Sequence, residues 1–102
     1  MISKFIKIRK NDYKKHLVIS GKVQGVGFRY WMQNLAINNN IDGWVKNKSS
    51  GDVEALIIGQ EKEVHKLIKQ CNIGPSSATI QNIQINDYDQ DYSKKGFNIL
   101  RL

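Results

Sequence analysis

Apolar and polar residues alternate from His16 to Val23: Leu17, Ile19, Gly21 and Val23 fall on one side, and His16, Val18, Ser20 and Lys22 on the other. That period of two predicts a strand with one buried face. A glycine-rich stretch follows, after which Phe28, Trp31, Met32 and Leu35 recur at i, i+3, i+4 and i+7, the stripe of a core-facing helix. The Asn38-Asn39-Asn40 run ends that helix, because asparagine tolerates the left-handed backbone of a helix exit. Two strand-like runs, Gly43 to Lys48 and Asp52 to Gly59, are separated by Ser49-Ser50-Gly51 and predict a hairpin. From near Glu61 a second helical stripe appears in Val64, Leu67, Ile68 and Cys71, with Glu61 and Glu63 well placed in its first turn and Gly74-Pro75 closing it. Ala78 to Ile85 reads as a strand whose phase shifts between Ile80 and Ile83, which predicts a bulge. Asn86 to Lys95 reads as a polar connector, and Phe97, Ile99 and Arg101 as a short final strand.

Strand, helix, strand, strand, helix, strand is the split βαβ order, in which right-handed crossovers put both helices on one face of an antiparallel sheet. The expected architecture is therefore α+β, a ferredoxin-like sandwich. With 102 residues the chain suits one domain. Residues 13–102 are expected to form it, and residues 1–12 to be an extension, either a tail or an extra edge strand. Such a fold hosts many unrelated activities, so function must come from particular residues.

Sixteen basic against nine acidic side chains give a formal charge of +7, which attracts anions without choosing among acidic substrates, phosphate esters, RNA and membrane surfaces. The single cysteine, Cys71, allows no internal disulfide and reads as a buried hydrophobe of the second helix. No apolar stretch is long enough for a membrane span or a signal-peptide core, so the expected location is the cytoplasm, with no membrane partner. His16, expected on the outer strand face, and His65, expected to be solvated, lack carboxylate or cysteine companions at ligand spacing, so no metal is expected.

The chemistry concentrates in Gly21-Lys22-Val23-Gln24-Gly25-Val26-Gly27-Phe28-Arg29, between the first strand and the first helix. Glycines let successive N–H groups turn inward, the helix adds its positive end, and Arg29 adds a planar fork of donors that matches a phosphate. The spacing excludes Walker A, since neither Gly25 nor Gly27 is followed by Lys. It excludes the dinucleotide fingerprint too, because Tyr30 stands where the third glycine belongs. A phosphocysteine enzyme would carry Cys where this chain has Val23. A loop with no built-in nucleophile points to direct use of water. A second cluster, Gly43-Trp44-Val45-Lys46-Asn47, puts an asparagine in a strand, a poor local choice that calls for a partner. In the split order the hairpin that begins there returns beside the first strand, which brings Asn47 near the loop.

Ile19 to Arg29 and Gly43 to Asn47, with Gly51, Val53 and Gly59 behind them, resemble the two signature motifs of the acylphosphatase family. Gly74-Pro75-Ser76-Ser77-Ala78 and Gly96-Phe97-Asn98-Ile99 also fit, so the similarity runs from His16 to Arg101. The resemblance implies a small ferredoxin-like enzyme that hydrolyses acyl phosphates to carboxylate and inorganic phosphate, with no metal or cofactor. It implies that the loop amides of Gln24, Gly25, Val26, Gly27 and Phe28 bind the phosphoryl group together with Arg29, and that Asn47 orients the attacking water. Inorganic phosphate is then both a product and a competitive inhibitor. Two other readings stand beside it: an idle, anion-binding domain of the same family, and an RNA-binding module. The second needs stacking aromatics on the central strands, and His16 to Val23 and Val53 to Ile58 contain none.

Overall fold

A computed structural model describes residues 12–101. The elements are β1 (Tyr13–Lys22), α1 (Phe28–Asn38), β2 (Asp42–Asn47), β3 (Val53–Gly59), α2 (Glu61–Cys71), β4 (Thr79–Asp87) and β5 (Phe97–Leu100). The expected extension, apart from Asp12, lies outside the described residues.

The strands form one sheet in the order β4-β1-β3-β2-β5. The first four pair antiparallel, as in the ferredoxin-like arrangement, while β5 lies parallel to β2, with Gly43 opposite Phe97 and Val45 opposite Ile99. The sheet is thus mixed, with one parallel edge added to the expected antiparallel pattern. Both helices pack on one face. Leu17, Ile19, Val45, Val53, Ala55 and Ile57 from the strands meet Phe28, Met32 and Ala36 of α1 and Val64, Leu67 and Cys71 of α2, all fully buried. Burial pushes the Cys71 thiol up to about 12, so it stays protonated and inert as a nucleophile.

Local chemistry explains the joints. The α1 exit uses Asn40 at φ 56°, with Ile41 N–H donating to the Ala36 carbonyl at 2.8 Å. The pairing of β1 with β4 slips at Ser20/Gly21, where Ser20 faces Asn82 and Gly21 faces Ile80. Gln81 is the extra residue, between the two isoleucines whose phase shift predicted a bulge. Gly21 has φ 129°, and a Cβ there would run into the Thr79 carbonyl, so glycine is required at the slip.

The helix-free face is partly covered. Leu56 and Ile58 point to it, yet are buried, and the segment between β4 and β5 runs from one edge of the sheet to the other. Gln90 in that segment accepts a hydrogen bond from Lys14 Nζ at 2.7 Å. Burial, aided by the nearby charge of Asp42 and by Tyr88, raises the Tyr92 hydroxyl above its ordinary range. On the same face His16 bonds Glu54 at 2.7 Å and Asn86 at 3.1 Å, edge-on to Trp44. Burial alone would raise the Glu54 carboxyl, but the His16 hydrogen bond and the charges of Lys46 and Lys48 outweigh it and hold the group below the usual carboxylate range.

Candidate active site

β1 and β2 both run antiparallel to β3, so their C-terminal ends, Lys22 and Asn47, lie at the same end of the sheet. α1 starts there too, after a loop of five residues. In register, Ile19 faces Val53 and Val53 faces Asn47, and all three lie on the helix side of the sheet. The two clusters singled out in the sequence, 26 positions apart at Gly21 and Asn47, therefore meet at one end of the molecule.

The loop has the backbone of an anion cradle. Gly25 and Gly27 have φ of 75° and 78°, and Val26 between them stays in the negative range. This alternation turns neighbouring N–H groups to one side. Both glycines are exposed, and a Cβ on either would meet nothing within 4 Å, so what demands glycine here is the left-handed backbone rather than space. Gly27 caps α1 without a side-chain hydrogen bond, and the first helical bond runs from Trp31 N–H to the Gly27 carbonyl at 3.0 Å. Among the described residues, the N–H groups of Gln24, Gly25, Val26 and Gly27 donate no backbone hydrogen bond. The leading N–H groups of α1 are unpaired by the geometry of any helix start. Unspent donors on a partly exposed loop at a helix N-terminus favour an oxyanion.

Arg29 sits in the first turn of α1, half-buried. No carboxylate among the described residues pairs with it. An arginine held against the body of the protein without a counter-ion keeps its donors for a ligand. Phe28 beside it is buried in the core against Trp31, 5.2 Å between ring centres, and anchors the end of the loop.

Asn47 closes β2. Its Oδ1 is buried and has no hydrogen-bond partner among the described residues. A buried acceptor left unmatched costs about 1–3 kcal/mol, and such atoms in a native fold call for a functional account.

Two further contacts hang the loop in place. Gln24 Nε2 donates to the carbonyls of Lys48 at 2.8 Å and Asp52 at 2.9 Å, both on the β2–β3 hairpin. Ser77, on the approach to β4, donates its hydroxyl to the Val26 carbonyl at 3.0 Å. At the far edge, Arg101 donates to the Tyr30 hydroxyl at 3.0 Å. Ser77 lies in the Gly74–Ala78 stretch that fits the family pattern, whereas Arg101 reads in the sequence only as part of a strand, and no local pattern flags it as a neighbour of α1.

The other candidates stay apart from this site. Trp44 is half-buried on the helix-free face, with Lys46 Nζ 5.5 Å from its ring centre. His65 is largely exposed on α2 and bonds the Tyr13 hydroxyl at 3.0 Å. Among the described residues, no group of three or more His, Cys, Asp or Glu side chains could hold a metal ion. No helix among them is long and apolar enough to cross a membrane. The helix-free sides of β1 and β3 present His16, Val18, Glu54, Leu56 and Ile58, with no Phe, Tyr or Trp for base stacking, and the His16 imidazole is engaged by Glu54 and Asn86.

Fold and site together define a small α+β sandwich with a glycine loop, a helix N-terminus and Arg29 gathered at one end of its sheet. The acylphosphatase family model matches residues 15–99. An acylphosphatase of Rhodopseudomonas palustris (strain BisB5) is 36% identical over 91 residues, covering 84% of this chain and 92% of that one. Among solved structures, the Bacillus subtilis acylphosphatase superposes with a TM-score of 0.83 at 30% identity, covering 86% of this chain and 98% of the other. The Coxiella burnetii acylphosphatase does so with a TM-score of 0.81 at 36% identity, covering 89% and 95%. The chain belongs to the acylphosphatase family.

Proposed function

We propose that this chain hydrolyses acyl phosphates to a carboxylate and inorganic phosphate by direct attack of water. One observation carries the reading: among the described residues, a loop of unspent N–H donors and an Arg29 with no carboxylate partner lie at the end of the sheet where Asn47 holds a buried, unmatched acceptor.

The backbone N–H groups from Gln24 to Phe28 and the Arg29 guanidinium bind the phosphoryl oxygens and absorb their charge as it redistributes in the transition state. The side-chain amide of Asn47 orients the attacking water and aims its oxygen at phosphorus. The P–O bond to the acyl group breaks as the new one forms, and the acyl oxygen leaves as a carboxylate. A carboxylate is a good leaving group, so no strong general acid is required. A neutral amide cannot take the water's proton, which passes to a phosphoryl oxygen or to solvent. The work of the site is positioning and charge stabilisation, for which neither a metal nor a cofactor is needed.

We assign residues 13–102 to the catalytic domain and residues 1–12 to an extension, and a reducing cytoplasm suits the single thiol of Cys71. The test is hydrolysis of benzoyl phosphate in the presence of EDTA, with inorganic phosphate as a competitive inhibitor. Turnover that disappears on chelation and returns with added metal would overturn the metal-free mechanism. Phosphate binding without turnover would assign the chain to anion binding alone.

A further inference from the structure

We infer that the side chain of Gln24 is a positioning residue: it sets the distance between the phosphate cradle and the water held at Asn47. The inference rests on the hydrolytic reading of the site, but its geometry stands apart from it. The Gln24 amide spends both of its Nε2 hydrogens on the hairpin, one on the Lys48 carbonyl and one on the Asp52 carbonyl. Lys48 directly follows Asn47 in the chain, and Gln24 directly precedes Gly25. The clamp thus joins the residue at the edge of the cradle to the residue next to the water-holder.

A purely structural role for Gln24 would be to satisfy hairpin groups that otherwise go unpaired. The hairpin does not need it for that. Lys48 N–H donates to the Asp52 carbonyl at 2.9 Å, and Gly51 N–H to the Lys48 carbonyl at 3.1 Å. Both carbonyls already have a backbone partner, and Gln24 takes their second lone pairs. The turn therefore closes without Gln24, and what the amide adds is the placement of the loop relative to the turn. The loop's other side is held by Ser77 at the Val26 carbonyl. With Gln24 released, the loop keeps one side anchor and the backbone of its glycines, so it still gathers donors around an anion but no longer holds that anion at a set distance from Asn47. Misplacement on the scale of an ångström costs about a hundredfold in rate when catalysis is mostly positioning.

Two variants test this. Gln24→Met keeps length and bulk and removes both donors. Its kcat on benzoyl phosphate is expected to fall at least about tenfold, while the inhibition constant for inorganic phosphate moves less than about threefold. Gln24→Glu places a carboxylate against two carbonyls at neutral pH and is expected to be the slower of the two. Protonation restores one donor, so its kcat relative to wild type is expected to rise as the pH is lowered, a trend that Gln24→Met cannot show. Amide ¹⁵N relaxation of residues 25–29 supplies a readout independent of turnover: exchange broadening is expected in Gln24→Met, with the Lys48 and Gly51 amides still protected. If folded Gln24→Met keeps kcat within twofold of wild type, or if kcat and phosphate affinity fall in parallel, the positioning role is wrong. If wild type itself does not hydrolyse the substrate, the hydrolytic reading fails, and an unbroadened loop in Gln24→Met then overturns the clamp as well.

Discussion

Replacing Asn47 with alanine separates function from stability with opposite signs. The Oδ1 atom is buried and unmatched, so the folded state carries a desolvated acceptor worth about 1–3 kcal/mol of penalty. Alanine removes that penalty and, in exchange, gives up part of the side chain's packing at the end of β2. The two effects oppose each other, and the expected change in unfolding free energy lies between zero and a gain of about 1 kcal/mol. The rate responds differently. A single group that positions or stabilises the reacting atoms is worth about 10²–10³ in kcat, or about 2.7–4 kcal/mol of barrier. The cradle is untouched, so phosphate inhibition should persist at its wild-type strength. Urea denaturation, benzoyl phosphate kinetics and phosphate inhibition on the same preparation read all three quantities. A folded Asn47→Ala protein with near-normal kcat would refute the assignment. A loss of stability of 2 kcal/mol or more, on the scale of a core truncation, would show that Asn47 serves the fold.

Arg29→Ala removes a charge-assisted contact to bound and reacting phosphate alike, so phosphate affinity should weaken by about 1.5–3 kcal/mol and turnover should be largely lost; equal phosphate inhibition in wild type and variant would exclude this role. Gly43 has φ 135° and no room for a Cβ, which would strike the Leu56 carbonyl. Gly43→Ala should cost about 2–5 kcal/mol of stability by chemical denaturation, from backbone strain plus overpacking, and a change below 0.5 kcal/mol would contradict that geometry. Glu54 has a folded-state value below its ordinary 4.5, so the stability it contributes is present above that pH and lost as pH falls through the folded value. Glu54→Gln should accordingly be less stable than wild type near neutrality, with the gap closing below pH 4.5; a gap that stays constant into acid would refute the pairing.

The fold was legible wherever the determinants were local and periodic. Leu17 and Ile19 on one side of β1, and Val64, Leu67 and Cys71 on one side of α2, state directly which face is buried. The Ile80/Ile83 phase shift marked the bulge at Gln81 because a slip of one residue reverses which face a side chain takes. The pairing of β5 was not legible: four residues alternate equally well beside either neighbour and in either direction, and only the assembled sheet leaves the β2 edge open to them. The burial of Leu56 and Ile58 was equally hidden. A strand with apolar residues on both sides announces that it is central, but not that a polar connector 30 residues later lies across one face.

Within the site, legibility followed residue type. Gly25, Gly27 and Arg29 could be read in advance because left-handed backbone and a guanidinium are properties of those residues themselves. Asn47 could be read as an anomaly, a polar side chain in a strand, though its unmatched Oδ1 appears only once the surrounding atoms are in place. In the sequence Gln24 offers only a backbone N–H beside the glycines, whereas in the fold its side chain reaches carbonyls 24 and 28 residues away. Every residue carries a carbonyl, so no choice of amino acid at positions 48 or 52 signals that partnership. The same fact makes the clamp tolerant on one side and exacting on the other: the hairpin can change its side chains there and keep both acceptors, while position 24 must supply two hydrogens from the end of a side chain of glutamine's length.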